Sequence, residues 1–271
     1  MDRLDTALTD LISDFERAEH LIRLITQFRD FGASSVPAPN EDEKPLWQEA
    51  SDLWAASQNR RTDLPVLSGS LLLYLAGRFE YYVRTIVEIA AEDIASQCRE
   101  FGDLPPRLKK ELINRTAEVV QNPRRYGYDN FQIEGFIVTL ADGLKASTSI
   151  ASINSGCLSS TDANLRPEVL ADLMKRIGMD NVWQDVGKQA KTKLHLRITV
   201  DADATAEAKS RLNSIMEDRN RIAHPTNATT FLGPDKVLEA TTFLKMLSEV
   251  LVDILRVYVI GFSNGMNSVQ P

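Results

Sequence analysis

Three side chains able to do chemistry stand within six residues of one another, in Arg219-Asn220-Arg221-Ile222-Ala223-His224. A histidine gives or takes a proton near neutral pH. An arginine offers planar, permanently charged donors to an anion, and an amide both donates and accepts. Arg219, Asn220 and His224 therefore suit proton transfer beside a held negative charge. The preceding segment, residues 204–216, carries a helical stripe of Ala208, Leu212 and Ile215, which Ile222 continues. Arg219 falls on this stripe: at about 100° per residue, Leu212, Ile215 and Ile222 lie within about 60° of it. A guanidinium aimed at the apolar side is costly unless it meets an anion, a partner or a wet cleft. His224 precedes Pro225, which disfavours the α region at His224 and ends the helix. On one ideal helix Arg219 and His224 would point about 140° apart, so they can serve one group only at a helix end or across two copies. A plainer alternative is that Arg219 pairs with a buried carboxylate such as Glu80 while His224 caps the helix.

The elements that must position these residues read as helices. Residues 4–28 keep a 3–4 spacing through Leu4, Leu8, Leu11, Phe15, Ala18, Ile22 and Ile25, with His20 as a surface residue. A short helix around Trp47, Ala50 and Trp54 follows, its tryptophans being packing anchors. The longest periodic stretch runs from Val66 to Cys98 and reads as a central helix, with Gly77-Arg78-Phe79-Glu80-Tyr81-Tyr82 in its middle. Leu104-Pro105-Pro106 opens another helix, because proline is tolerated in a first turn, and Asn122-Pro123 stops it. Asp129 caps the next one. Residues 145–162 read as a long polar loop without a chemical signature. A helix opens at Asn164-Leu165-Arg166-Pro167-Glu168 and closes at Gly178. A short helix follows at Val182-Trp183. Leu194 to Val200 alternates and is the one strand-like segment, with His195 structural. A final helix from Pro234 to about Gly261 has an apolar surface broad enough for a dimer interface as well as a core.

Bulk composition limits the remaining choices. The chain has 271 residues, 43% of them hydrophobic, enough for a real core. The net charge of −7 disfavours a broad basic face for duplex DNA, but not a local basic cleft. Arg107, Lys109, Lys110, Arg115, Arg124 and Arg125 hold the main basic density, read by default as a solvated face and alternatively as RNA backbone contacts beside Tyr126 and Tyr128. The two cysteines, Cys98 and Cys157, lack metal spacing and suggest reduced thiols in a cytoplasmic protein. With three histidines, a zinc enzyme is not expected, and no P-loop, H-E-x-x-H or C-x-x-C pattern implies a metal or cofactor. No apolar run is long enough to span a membrane.

The R-N-x-x-A-H pattern at Arg219-Asn220 and His224 resembles the R-x(4–6)-H motif of the HEPN superfamily. The central helix with Phe79-Glu80, and the run from Ser155 through Asn164-Leu165-Arg166-Pro167-Glu168 to Gly178, resemble its RiboL-PSP-like branch. The resemblance implies a mostly α fold, an antiparallel helical bundle over residues 64–262. The helices before it read as an N-terminal helical extension over 1–60, and residues 263–271 as a disordered tail. The resemblance also implies a metal-independent endoribonuclease that needs no cofactor and cuts single-stranded RNA to 2′,3′-cyclic phosphate ends. Arg219, Asn220 and His224 would be catalytic, Glu80 would orient Arg219 or His224, and Arg124, Arg125 and Arg221 would touch RNA. It further implies a homodimer with the motif at the interface, and a toxin or antiviral defence role with a cognate antitoxin or defence-system partner. The alternative is a non-catalytic helical adaptor that binds a partner protein or nucleotide.

Overall fold

The computed structural model describes residues 2–34, 48–60, 63–145, 150–227 and 229–267, and Trp47 lies outside them. Among the described residues there are twelve α-helices and no strand. They are α1 (Arg3–Ala33), α2 (Gln48–Arg60), α3 (Leu64–Ser96), α4 (Pro106–Gln121), α5 (Pro123–Tyr126), α6 (Asn130–Leu144), α7 (Ser155–Ser159), α8 (Pro167–Arg176), α9 (Val182–Lys188), α10 (Ala190–Leu196), α11 (Asp201–Ala223) and α12 (Pro234–Asn267). The mostly α helical bundle expected from the sequence is the observed fold.

The bundle is built around α3, which packs against α1, α11 and α12. Phe79, Val83, Ile86 and Val87 on α3 are wholly buried, because its apolar residues cover more than a single stripe. Tyr82 is buried too, and its hydroxyl donates to the Ser248 carbonyl of α12 at 2.8 Å, so the one polar atom of that ring is satisfied. α1 joins the same core through Leu4, Leu11, Phe15, Ala18 and Ile22. The buried Asp14 of α1 accepts from Arg78 of α3 at 2.5 Å. On α2, Trp54 donates through Nε1 to the Ser34 carbonyl at 3.2 Å. The α12 backbone is helical to Asn267, past the start of the expected tail, and 268–271 lie outside the described residues.

Several ends follow their sequence signals. Asp129 and Gln132 form a reciprocal capping box at α6. Gly178 takes φ +102° after α8, the left-handed position that favours glycine. The strand expected over Leu194 to Val200 is not formed. Its first part is the end of α10, and Arg197 then turns the chain at φ 58° towards α11. A lone strand among helices would leave its N–H and C=O groups unpaired, whereas the helix satisfies them locally. Leu196 is buried and Leu194 is exposed, which a helix also achieves for residues two apart. His195 is half-buried beside the Phe243 ring at 6.1 Å, and burial, with Arg211 nearby, pushes its imidazole below the ordinary value.

The expected long polar loop over 145–162 is corrected most. Its second half forms α7, and Asn154, Ser155, Ser159 and Ser160 are buried. Their polar groups are matched from outside. Ser155 Oγ donates to Glu92 at 2.6 Å and the Ser159 hydroxyl to Glu88, both on α3. Asn154 Nδ2 donates to Thr116 Oγ1 at 3.1 Å and to the Phe136 carbonyl at 2.9 Å. A polar composition reads as a loop, but hydrogen-bonded polar groups can be buried at little net cost.

Candidate active site

The site is assembled where the C-terminal end of α11 meets the segment between α7 and α8. α11 buries Ala204, Ala208, Leu212, Ile215, Met216 and Ile222, so its packed face is the one read from the sequence. The helix ends at Ala223, and His224 is its C-cap at φ −125°, ψ 68°, as Pro225 requires. The chain beyond is held down by Phe231. Its ring packs on Gly69 of α3, where a Cβ would stand 2.7 Å from Phe231 Cδ1 and 3.4 Å from the Ile222 side chain. A glycine at this crossing is what allows the close approach.

Arg219 and Asn220 are half-buried and His224 is exposed. Asn220 Oδ1 accepts twice: from Asn164 Nδ2 at 2.6 Å and from an Arg219 guanidinium nitrogen at 3.2 Å. With its oxygen taken, the Asn220 amide has only N–H donors to offer a third group. Among the described residues Arg219 makes no ion pair, so most of its donors are likewise uncommitted. Arginine and amide donors therefore stand together one helical turn from an exposed imidazole. Such a cluster suits a phosphate better than a cation.

Glu80 does not reach Arg219. Its carboxylate accepts from the Leu165 backbone N–H at 3.0 Å. Its effect on the motif is indirect: it holds the backbone next to Asn164, and Asn164 holds Asn220. Two further contacts secure this strap. Arg125 chelates Asp162, donating from Nε at 2.7 Å and from a terminal nitrogen. Arg176, buried, donates to the carbonyls of Leu158 at 2.7 Å and Ser160 at 2.8 Å while its other nitrogens grip Asp172.

The candidate RNA-contact arginines are thus differently placed. Arg124 is exposed, and among the described residues it makes no ion pair. Arg125 is tied to Asp162, and Arg221 is paired with Asp218 on the surface of α11. Tyr126 and Tyr128, considered as stacking platforms, are spent on structure. The Tyr126 hydroxyl donates to Glu118 at 2.5 Å, and Tyr128 lies edge-on to Phe136 with its hydroxyl donating to the Gly156 carbonyl at 3.1 Å. Sequence reasoning missed Asn164 and Arg176. Asn164 looked like a residue opening α8, and nothing local signals a bond to a side chain 56 positions away.

Among the described residues no group of three or more His, Cys, Asp or Glu side chains could hold a metal ion, and no helix is long and apolar enough to cross a membrane. Both cysteines are buried and free, and burial pushes the Cys157 thiol up to about 12.

An all-α bundle with an R-x4-H motif at a helix end places the chain in the HEPN class. Residues 47–256 match the RiboL-PSP-HEPN family, and the chain belongs to it. This membership points to RNA-related or nuclease-like work. No curated protein and no solved structure matches the chain.

Proposed function

We propose that the chain is a metal-independent endoribonuclease that cuts single-stranded RNA and leaves 2′,3′-cyclic phosphate ends. One observation carries this proposal: Asn220 has its oxygen engaged by both Asn164 and Arg219, which leaves a cluster of N–H donors one helical turn along the chain from the exposed His224. Cleavage takes a proton from the ribose 2′-hydroxyl. The 2′-oxygen then bonds to phosphorus, the bond to the 5′-oxygen breaks, and that oxygen takes up a proton. A histidine can serve at either proton step. Arg219 and the Asn220 amide would meet the charge on the phosphate oxygens. Donors and an imidazole, rather than carboxylates, are the reason to propose chemistry without a metal. One motif supplies one histidine, whereas two copies facing each other supply an acid and a base, so the active form is a homodimer with the motif at its axis. By family resemblance, it is a cytoplasmic toxin or antiviral defence effector, restrained by a partner protein.

The direct test is cleavage of a labelled single-stranded RNA in EDTA, with analysis of the ends. Chelator-resistant cutting with cyclic-phosphate ends is the expected result. A specific observation favours the second reading, a non-catalytic adaptor for a partner protein or nucleotide: Arg125 and Arg221 are neutralised within the chain, which weakens the basic surface an RNA would meet. Freshly purified wild type that cuts no RNA in a panel would favour the adaptor.

Asn164 gives a sharper check. Asn164→Ala removes one of the two donors that orient the Asn220 amide, at a half-buried position outside the core. Cleavage is expected to fall about 10- to 100-fold, because misplacing a group that holds the reacting phosphate costs on that order. The thermal midpoint should hardly move. Asn164→Asp should be worse than alanine, since a carboxylate there repels the Asn220 oxygen. Activity equal to wild type in both variants would remove Asn164 from the site.

A further inference from the structure

On the face of α3 beside the motif lies a notch of about 180 Å³ whose residues include Gly77, Glu80, Tyr81, Arg84, Thr161 and Leu165. We propose that this notch is a nucleotide subsite for single-stranded RNA: a base stacks on Tyr81 and its phosphate meets Arg84. The inference rests on the ribonuclease reading and deepens it.

Four observations converge. Tyr81 is 61% exposed, unusual for so large a ring in the middle of the central helix. One face of that ring is already backed, since the Arg78 guanidinium lies 5.1 Å from its centroid, and Arg78 is itself fixed by the buried Asp14. A ring fixed from one side is a prepared platform for a base on the other. Gly77, one turn before Tyr81, leaves open space: a Cβ there would meet nothing within 4 Å. Arg84, one turn after Glu80, is half-buried, and among the described residues it makes no ion pair. That sets it apart from Arg125 and Arg221, whose charges are used within the chain. The volume suits a single planar base. The notch also shares a wall with the motif, because Leu165 lines it while the adjacent Asn164 grips Asn220. A nucleotide held there would flank the phosphate held by Arg219. A single-residue subsite of this kind accepts any base, since each has a π-face, and it adds affinity without a broad basic surface. This is consistent with a chain of net charge −7.

The test is a binding titration of the full-length protein with a fluorescent single-stranded RNA whose 2′-hydroxyls are methylated, so that it cannot be cut. Tyr81→Ala is expected to weaken binding about tenfold and Tyr81→Phe less than about twofold, the span expected for loss and retention of one stacked base. Gly77→Leu, which fills the notch and removes nothing, should weaken binding about as much as Tyr81→Ala. Arg84→Ala should lower the slope of log affinity against log salt by about 0.7, the value for one phosphate contact on a single strand, while Tyr81→Ala leaves that slope unchanged. Unchanged affinity in both Tyr81→Ala and Gly77→Leu, with wild type binding the probe, overturns the subsite but leaves the ribonuclease proposal standing. Wild type that neither binds the probe nor cuts natural RNA overturns both.

Discussion

His224→Ala is expected to lower RNA cleavage by at least about a thousandfold while leaving the fold intact. Each general acid or base contributes roughly 10²- to 10⁴-fold, and in a symmetric dimer the substitution removes both together. The structural cost is small, since His224 is exposed and its helix-capping bond is made by the backbone N–H to the Asn220 carbonyl at 3.1 Å. An exposed substitution of this sort usually shifts stability by less than about 0.5 kcal/mol. Arg219→Ala should be comparably inactive. Arg219→Lys should not restore much, because an ammonium cannot reproduce the forked donors shared between Asn220 and a phosphate. Mixing tests the dimer at the same time. Excess His224→Ala protein added to wild type, after subunit exchange, should suppress cutting well below the dilution value if both copies build one cleft. Full activity of His224→Ala in EDTA would remove the histidine from the mechanism.

The second large effect is expected at Arg176. Its side chain is only 6% exposed, yet it carries a full charge, and burial pushes the guanidinium below its ordinary value, with Arg115 adding to the shift. The charge is tolerated because it satisfies the carbonyls of Leu158 and Ser160 and pairs with Asp172. Arg176→Ala leaves both carbonyls short of a donor. Each charged hydrogen bond of this kind contributes about 1.5–3 kcal/mol, so the loss is expected to be about 3 kcal/mol or more. The urea midpoint should drop by about 1 M, taking a slope near 3 kcal/mol/M. Arg176→Lys should recover less than half, since one ammonium cannot reach two carbonyls and Asp172 in the same fork. Because Arg176 also anchors the strap that ends at Asn164, cleavage should fall even where the variant remains folded. An unchanged midpoint would show that the two carbonyls find other donors.

Much of this protein is legible in its sequence. Helical periods in 4–28, 66–98 and 204–222 located α1, α3 and α11, because a buried face must repeat with the helix turn. Pro225 stopped α11 at Ala223 for a local steric reason, and Gly178 and Asp129 marked their helix ends in the same way. The R-N-x-x-A-H pattern pointed to the family that residues 47–256 match. These are short-range or periodic properties, and one strand of text contains them.

Tertiary structure decided what the motif touches. Glu80 was expected to orient Arg219 or His224, and its carboxylate is found on the Leu165 N–H. Asn220 is held from outside its helix by Asn164, which follows a segment whose composition reads as a polar loop. Its burial depends on Glu88 and Glu92 arriving from α3, and on Arg176 arriving from α8. The alternation in Leu194 to Val200 failed for a related reason: a strand needs a neighbouring strand, and the bundle has none among the described residues. The partner of a polar group is chosen by elements distant in sequence. Its type is therefore legible from the chain alone, and its contact only from the fold.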